Sequence, residues 1–576
     1  MYILGISAMA HDSAAALLAD GRIVAAMEEG KLARKRSVGG IPRNAIQYCF
    51  DSAGINWQHL DRIAIASHPT WAWSRETLFR ARQTLRSPRS SLYFANKALG
   101  EFGRELNNLR ILRELRGPSA CAIGEFDHHL CHASSTYFAS GYDRALIVTL
   151  DEHGDGRAGF IGLGEGSRIK ERRSLPLPHS LAWVFTQITR LLGFWPHVDE
   201  HKTQWLSLSG KPVHVDLFLD LLRREPGSEP RLHMKYLKRE FGSELGFASE
   251  FYRRLWGSET SQKNPAAGQR QFDPQQRADI AASFQNALGI VLNEWLESLR
   301  LKTKERYLCL AGGLFLNPLL VSTIEGNARF ERIFVQPAAG NEGTALGAAW
   351  LAWHEDPQHP RVEPASNLYF GPSFSNEEIK NVLDNCKAPY RWCESEDHKI
   401  DEALRLLLAG KIVAWFQGAA EFGPRALGNR SLLAYPWAPY VQENLNDYIK
   451  HRESYRPFAL SITEEDSTNY FDASPNARFL STLAVPKESG LKILAEVSNF
   501  LAGSLARLHA VRREDNPLFW KLLKKTGEKG PAPMLVNTSF NLFGEPLVIT
   551  PRDAVRSYYC SGTDGMVAGS FLLTKR

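Results

Sequence analysis

The sequence predicts an α/β protein of two domains, residues 1–353 and 367–576, joined by a linker at 354–366. Three observations carry this reading: a strand–loop–strand hairpin that recurs, glycine loops set between apolar strands and helices, and a polar segment with three prolines, His354 to Pro364. The chain has 576 residues, 44% hydrophobic and 23% charged, enough for at least two cores.

Tyr2 to Ser7 reads as a buried strand and Ala8 to Ser13 as a small-residue loop. Ala14 to Leu18 returns as a strand, and Asp20-Gly21 turns the chain into Ile23 to Met27. The same events recur later: strand Ala145 to Leu150, polar glycine loop Asp151 to Gly156, strand Ala158 to Leu163, turn Gly164-Glu-Gly166. Two such hairpins resemble the duplicated phosphate loops of actin-like ATPase folds. Two further glycine sites follow. Tyr307 to Leu310 runs into Ala311-Gly312-Gly313 and a segment containing Asn317; Ile333 to Val335 runs into Pro337 to Gly343, where Thr344 is placed to cap an Ala-rich helix through Trp353. Such glycines let backbone N–H groups approach phosphate, or serve only as turns. Past the linker, Ser375-Asn-Glu-Glu378 predicts a capping box, and Lys411 to Phe416 a strand.

Two clusters carry chemistry. His128 and His132, at i and i+4, would share one helix face, and Asp151 at the end of the next strand completes a two-His, one-carboxylate set. The second cluster is cationic. Glu421-Phe-Gly-Pro-Arg-Ala-Leu-Gly-Asn-Arg-Ser431 and Lys450-His-Arg-Glu-Ser-Tyr-Arg-Pro-Phe458 place Arg425, Arg430, Lys450, Arg452 and Arg456 close together in sequence. Asn537-Thr-Ser539-Phe-Asn541 adds short polar side chains. Gly423, Pro424 and Gly428 between the cations disfavour a plain solvated helix and favour a phosphate pocket.

Other classes are weighed by composition. A net charge of +6 and pI near 8.8 suit anionic small substrates as well as nucleic acid. Residues 75–116 hold ten cations against four acids and read as a helical surface; no aromatics interleave with Lys and Arg as an RNA platform would need. Seven scattered cysteines without a CxxC pair indicate a reducing cytoplasm, and no apolar run of 18 residues marks a membrane span.

In order along the chain, these motifs resemble the carbamoyltransferase family that includes the nodulation protein NodU and the antibiotic O-carbamoyltransferases. The resemblance rests on Gly5 to Ala15 with Glu28-Glu29 and Arg34-Lys-Arg36, on His128 to Ala133, Asp151, Ala311 to Asn317 and Gly340 to Ala349, and on the three C-terminal motifs. It implies a duplicated actin-like ATPase-fold N-terminal domain and a C-terminal α/β domain similar to threonylcarbamoyl-adenylate synthases (YrdC-like). It implies that carbamoyl phosphate and ATP give carbamoyl adenylate, whose carbamoyl group passes to a hydroxyl of a small-molecule acceptor such as a natural product or sugar. Carried over by motif, Arg425, Arg430, Lys450, Arg452, Arg456, Arg507, Asn537 and Ser539, with Gly312, Gly313 and Asn317, would bind carbamoyl phosphate and nucleotide. His11 would deprotonate the acceptor hydroxyl. His128, His132, Asp151 and Asn341 would hold a divalent or trivalent metal, iron by resemblance or magnesium. The alternative is a tRNA threonylcarbamoylation-type enzyme. Three positions depart from the family pattern: Asn341 stands for Asp, Arg36 for Lys, and Glu200 to Gly210 for Glu-x-Lys-Val-Met-Gly-Leu-Ala-x-x-Gly.

Overall fold

The computed structural model describes residues 1–8, 11–67, 88–238, 246–256 and 272–575. Met9, Ala10 and residues 75–87 of the cationic stretch lie outside them; the rest of that stretch falls in helix Pro88–Arg116.

The duplication expected from the hairpins is present in the sheets. The first sheet contains β1 (Tyr2–Ser7), β2 (Ala14–Ala19), β3 (Arg22–Glu28), β4 (Arg62–Ile65) and β5 (Ala122–Glu125), in the order β3-β2-β1-β4-β5. The second contains β6 (Arg144–Gly154), β7 (Arg157–Glu165), β8 (Arg168–Pro176), β9 (Tyr307–Ala311) and β10 (Arg332–Val335), in the order β8-β7-β6-β9-β10. In both, three antiparallel strands continue into two parallel ones. The last strand of each leads into a helix, His128–Ser140 or Gly343–His354, and these two helices pack together between the sheets.

The turns explain one departure from the sequence reading. Asp20 (φ 48°) with Gly21 (φ 80°), and Asp155 (φ 46°) with Gly156 (φ 74°), each place two successive residues in the left-handed region. That is the two-residue geometry an Asp-Gly pair favours in hairpins. The second pair closes its hairpin tightly, so strand β6 runs on to Gly154 and Asp151 stands on the strand rather than in a loop. Thr344 likewise does not cap: its Oγ1 donates to Asn341 O at 2.6 Å, inside a turn whose preceding residue, Glu342, is already helical.

Between β8 and β9 the chain builds a helical layer, including Leu181–Leu191, Glu200–Leu206 and the 30-residue helix Pro274–Thr303, over a large core. Residues 355–375 carry neither helix nor strand. They are fastened to the N-terminal half: the Trp353 and His359 rings stack at 3.9 Å, and Arg361 donates to Tyr142 O at 2.6 Å while lying over Tyr137. The capping box at Ser375 and Glu378 forms as expected. Residues beyond it build an eight-stranded mixed sheet with central strands Val413–Phe416, Arg430–Ala434, Met534–Ser539 and Ala459–Thr463.

One set of contacts between the halves comes from the N-terminal signature and Lys31 beside it. Glu28 Oε1 accepts from Gly423 N at 2.8 Å, and Lys31 Nζ donates to the carbonyls of Glu421 (2.8 Å) and Gly423 (2.6 Å). Arg34 donates to Pro546 O at 3.0 Å and Arg36 to Glu545 O at 3.4 Å. The segment after β3 is therefore a clasp that holds the cationic loop against the first sheet.

Candidate functional site

The expected metal-ligand set assembles from two adjoining elements. Helix His128–Ser140 starts at Asp127, whose side chain accepts from Leu130 N at 3.0 Å, while Asp155 accepts from His128 N at 2.7 Å. This fixes the first turn, and the i, i+4 spacing sets the His128 and His132 rings edge to face with centroids 4.6 Å apart. Asp151 on β6 faces them: its Oδ2 lies 3.2 Å from Nε2 of each ring. Both imidazoles are fully buried, and burial opposes ionisation of Asp151, but the hydrogen bonds from His128 and His132 outweigh it and hold the carboxyl well below its usual range.

Two imidazole nitrogens and a carboxylate oxygen within 4.8 Å of one another, both rings' Nδ1 atoms buried without a hydrogen-bond partner, form a donor set that fits a divalent cation. Gly154 is required here, because a Cβ at that position would lie 1.9 Å from the His128 ring. Gly154→Ala is expected to displace His128 and abolish retention of a divalent ion after dialysis, with the circular dichroism of the fold kept. Metal analysis beside the spectrum checks it.

Next to this centre stand two imidazoles, each held by a carboxylate. His11 Nδ1 bonds Asp12 Oδ2 at 2.9 Å, and His197 Nδ1 bonds Glu152 Oε2 at 3.0 Å. Burial works against charge on His11, but the Asp12 hydrogen bond and charge, helped by Asp151 and Glu152, push it up to about 9. A cation at the neighbouring centre would counter those carboxylates and favour the neutral ring. Asn341 reaches the same group: its Nδ2 lies 3.3 Å from His11 Nδ1 and 3.4 Å from His11 O. Since His11 Nδ1 carries the hydrogen given to Asp12, the Asn341 amide donates to the carbonyl. Glu342 beside it is buried, with Oε1 unpartnered; burial, then Asp12 and Glu28, push its carboxyl up to about 8.

The segment that departs from the family pattern lies between this site and the cations. His197 faces His11, whereas His201, four residues on, is held neutral by burial and by Arg456, Arg425 and Lys202. Lys202 crosses to Glu453 at 3.1 Å, and Arg507 lies 5.7 Å over the Trp205 ring.

Five of the predicted cations meet. Lys450 ends a π-helical turn, Asn444–Lys450, after which His451 takes φ 44° and redirects the chain so that Arg452 and Arg456 return toward it. Arg507 enters just ahead of strand Leu508–Val511, which pairs with Ala459–Thr463, and Arg425 from the clasped loop. Lys450 Nζ is surrounded by uncharged oxygens, Asn541 Oδ1 (2.8 Å), Asn541 O (3.1 Å) and the Ser539 carbonyl. Arg452 bonds Asn446 Oδ1 at 2.9 Å, Arg425 bonds Leu316 O at 2.8 Å, and Arg507 bonds Pro457 O at 3.4 Å. Burial and then the neighbouring cations hold Lys450, Arg452 and Arg507 well below their usual ranges; Arg425 is pulled down to about 10 by burial and Arg456. Glu453, 3.7 Å from Arg456 and shared with Lys202, faces this group. Desolvated cations so grouped have the chemistry to hold an anion.

The remaining predicted residues fall in different places. Asn537 is buried, donates to Ser461 Oγ at 3.0 Å and keeps Oδ1 without a partner; Ser539 joins Lys450 through its carbonyl and hydroxyl. Arg430 stands apart from the anion cluster: its guanidinium stacks over Phe416 and donates to the carbonyls of Gln417, Asn429 and Pro372. Gly312 and Gly313 border Asp151 rather than the cations, since Cβ atoms there would meet Leu150 O at 2.2 Å and Asp151 Oδ1 at 3.0 Å. Asn317 caps helix Pro318–Asn327, its Oδ1 accepting from Leu320 N at 3.0 Å. Glu152, His197, His201 and Glu342 were not read from sequence. The His197/His201 spacing repeats that of His128/His132 and was the available signal.

Family models described as Carbamoyltransferase N-terminus and Carbamoyltransferase C-terminus match residues 2–350 and 404–575. An uncharacterized protein of Synechocystis sp. is 33% identical over 100% of this chain and 97% of its own length. The nodulation protein NolNO of Sinorhizobium fredii is 32% identical over 98% of this chain and 79% of its own. The 3'-hydroxymethylcephem-O-carbamoyltransferase of Amycolatopsis lactamdurans is 35% identical over 46% of this chain and 48% of its own.

Proposed function

The chain belongs to the carbamoyltransferase family, and from that premise we propose that it carries the carbamoyl group of carbamoyl phosphate, activated with ATP as carbamoyl adenylate, to a hydroxyl of a small-molecule acceptor. The observation that carries this reading is the buried group of Arg425, Lys450, Arg452, Arg456 and Arg507, whose charge Glu453, Asp199 and Glu342 counter only in part. A cluster so placed neutralises the phosphate oxygens of both substrates while water splits carbamoyl phosphate into carbamate and phosphate, and then the charge that builds on the leaving pyrophosphate as a carbamate oxygen attacks the α-phosphorus of ATP. Asn537 Oδ1, buried and unpartnered, is suited to accept from the carbamoyl nitrogen.

Transfer falls to the N-terminal residues. The Nε2 of His11, whose ring is oriented by Asp12, takes the proton of the acceptor hydroxyl as its oxygen attacks the carbamoyl carbon and AMP leaves. His128, His132 and Asp151 would hold a divalent cation, which supplies Lewis-acid polarisation at this site. The helix Glu200–Leu206 meets the cations through Lys202 and Trp205 and holds the backbone of His197, whose ring faces His11, through Glu200, so it links the two half-reactions.

Mixing the metal-loaded protein with carbamoyl phosphate and ATP, without acceptor, is expected to give a burst of pyrophosphate of about one equivalent per chain, then slow turnover as water takes the acceptor's place. Pyrophosphate release that does not depend on carbamoyl phosphate, or none at all, would refute the assignment.

A further inference from the structure

The imidazole pair beside the metal ligands holds one member that the reaction above does not use. The rings of His11 and His197 lie 6.0 Å apart, centroid to centroid, tilted by 36°. Each is anchored in the same way, Nδ1 to a carboxylate: Asp12 at 2.9 Å and Glu152 at 3.0 Å. A carboxylate accepts, so Nδ1 carries the hydrogen in both rings, and in the neutral form Nε2 of each is the acceptor. No hydrogen bond to either Nε2 occurs among the described residues.

His197 is held in place at backbone cost. Its φ of 64° lies in the left-handed region, uncommon for a histidine, and its N–H is fixed on Glu200 Oε1 at 2.6 Å. Glu152, its partner, follows the metal-set carboxylate Asp151 directly, so the His197 ring is registered to the same strand as that centre. Two Nε2 acceptors on rings 6.0 Å apart do not suit one hydroxyl, which has a single hydrogen to donate. They suit two adjacent hydroxyls, each about 2.8 Å from one ring nitrogen.

We propose that His197 is a second acceptor-binding residue, and that the pair receives a vicinal diol: the attacked hydroxyl at His11 and its neighbour at His197. The acceptor class is thus a sugar or polyol with two adjacent free hydroxyls. This rests on the carbamoyl-transfer reading. In the step, the attacked oxygen bonds to the carbamoyl carbon, the bond from that carbon to the adenylate oxygen breaks, AMP takes the electron pair, and the hydroxyl proton passes to His11. His197 changes no covalent bond; it orients the neighbouring hydroxyl and so the attacking one.

The test compares 1,2-propanediol with 1-propanol as probes, on the wild type and on His197→Asn. Asn is chosen because it tolerates the left-handed conformation while falling short of the ligand position. The readout is the concentration at which each alcohol changes carbamoyl-phosphate-dependent ATP turnover, by becoming an acceptor or by displacing water. Rates are normalised to the pyrophosphate burst, so misfolded protein does not count. The diol is expected to act at a concentration about tenfold lower than the mono-alcohol on the wild type, and the gap to close in His197→Asn. Equal potency of the two alcohols on the wild type, or a gap that survives in the variant, overturns the proposal. A wild type without a burst sinks the carbamoyl-transfer reading itself, a result the alcohol comparison does not produce.

Discussion

Arg507→Met is expected to make the ligand-free protein more stable while nearly abolishing carbamoyl-phosphate-dependent pyrophosphate release. The two effects share one cause. Arg507 is buried, its Nε has no partner, and its cationic neighbours Arg425, Arg452 and Arg456 oppose its charge. Replacing such a group by an apolar side chain of similar length removes desolvation and repulsion, and substitutions of buried ions by apolar residues stabilise by about 1–4 kcal/mol when they succeed. Binding of phosphate reverses the balance, because each guanidinium then gains a charge-assisted contact. Loss of one such contact costs about 1.5–3 kcal/mol, about 10- to 150-fold in rate. His11→Ala lies beside Asp151 and Glu152 rather than among the cations and is expected to spare the burst and slow turnover by about 10²-fold or more. Denaturant unfolding, with burst and turnover amplitudes for both variants, checks this. A destabilised Arg507→Met with normal release would make the residue a structural cation, packed on Trp205 for its own sake.

The outcome also bears on what the chain discloses before folding. Periodicity and turn chemistry gave the repeated hairpins, since Asp20-Gly21 and Asp155-Gly156 are local signals that need no partner. The His128/His132 pair was legible for the same reason: helical spacing alone puts the rings on one face. The cations were legible as a group but not individually. Arg430 differs from Arg425 only in what surrounds it, and its carbonyl partners Gln417 and Pro372 belong to neighbouring strands and loops. Glu28 and Arg34 stood in a recognised motif without an evident task, and Lys31 was not read at all, because their partners lie about 390 to 510 residues away, at Glu421, Gly423 and Pro546. His197 and Glu152 stayed unread for a related reason. Their pairing depends on a helix–loop insertion folding back over a strand, which no local pattern records.

Asp151→Asn is expected to remove the metal and with it nearly all carbamoyl transfer, leaving the pyrophosphate burst. Asp151 is the one carboxylate of the converging set, and a single oxygen, Oδ2, lies 3.2 Å from both histidine nitrogens. An amide there neutralises nothing and can turn an NH₂ toward the cation, so affinity falls by at least the ~10- to 100-fold that loss of a mere supporting group costs. Asn341 supplies the complementary case. Its amide is spent on His11, which places it beside the centre but directed at the base. Asn341→Asp adds a second anion there. Metal retention after identical chelator treatment is expected to rise, while the same carboxylate strengthens the hold on a protonated His11 and lowers the rate of transfer. Metal content and transfer then move in opposite directions in this variant and together in Asp151→Asn. Retention in Asn341→Asp equal to or below the wild type would mean that position 341 contributes no ligand atom and acts through His11 alone. The centre would then rest on His128, His132 and Asp151, with whatever the acceptor itself provides.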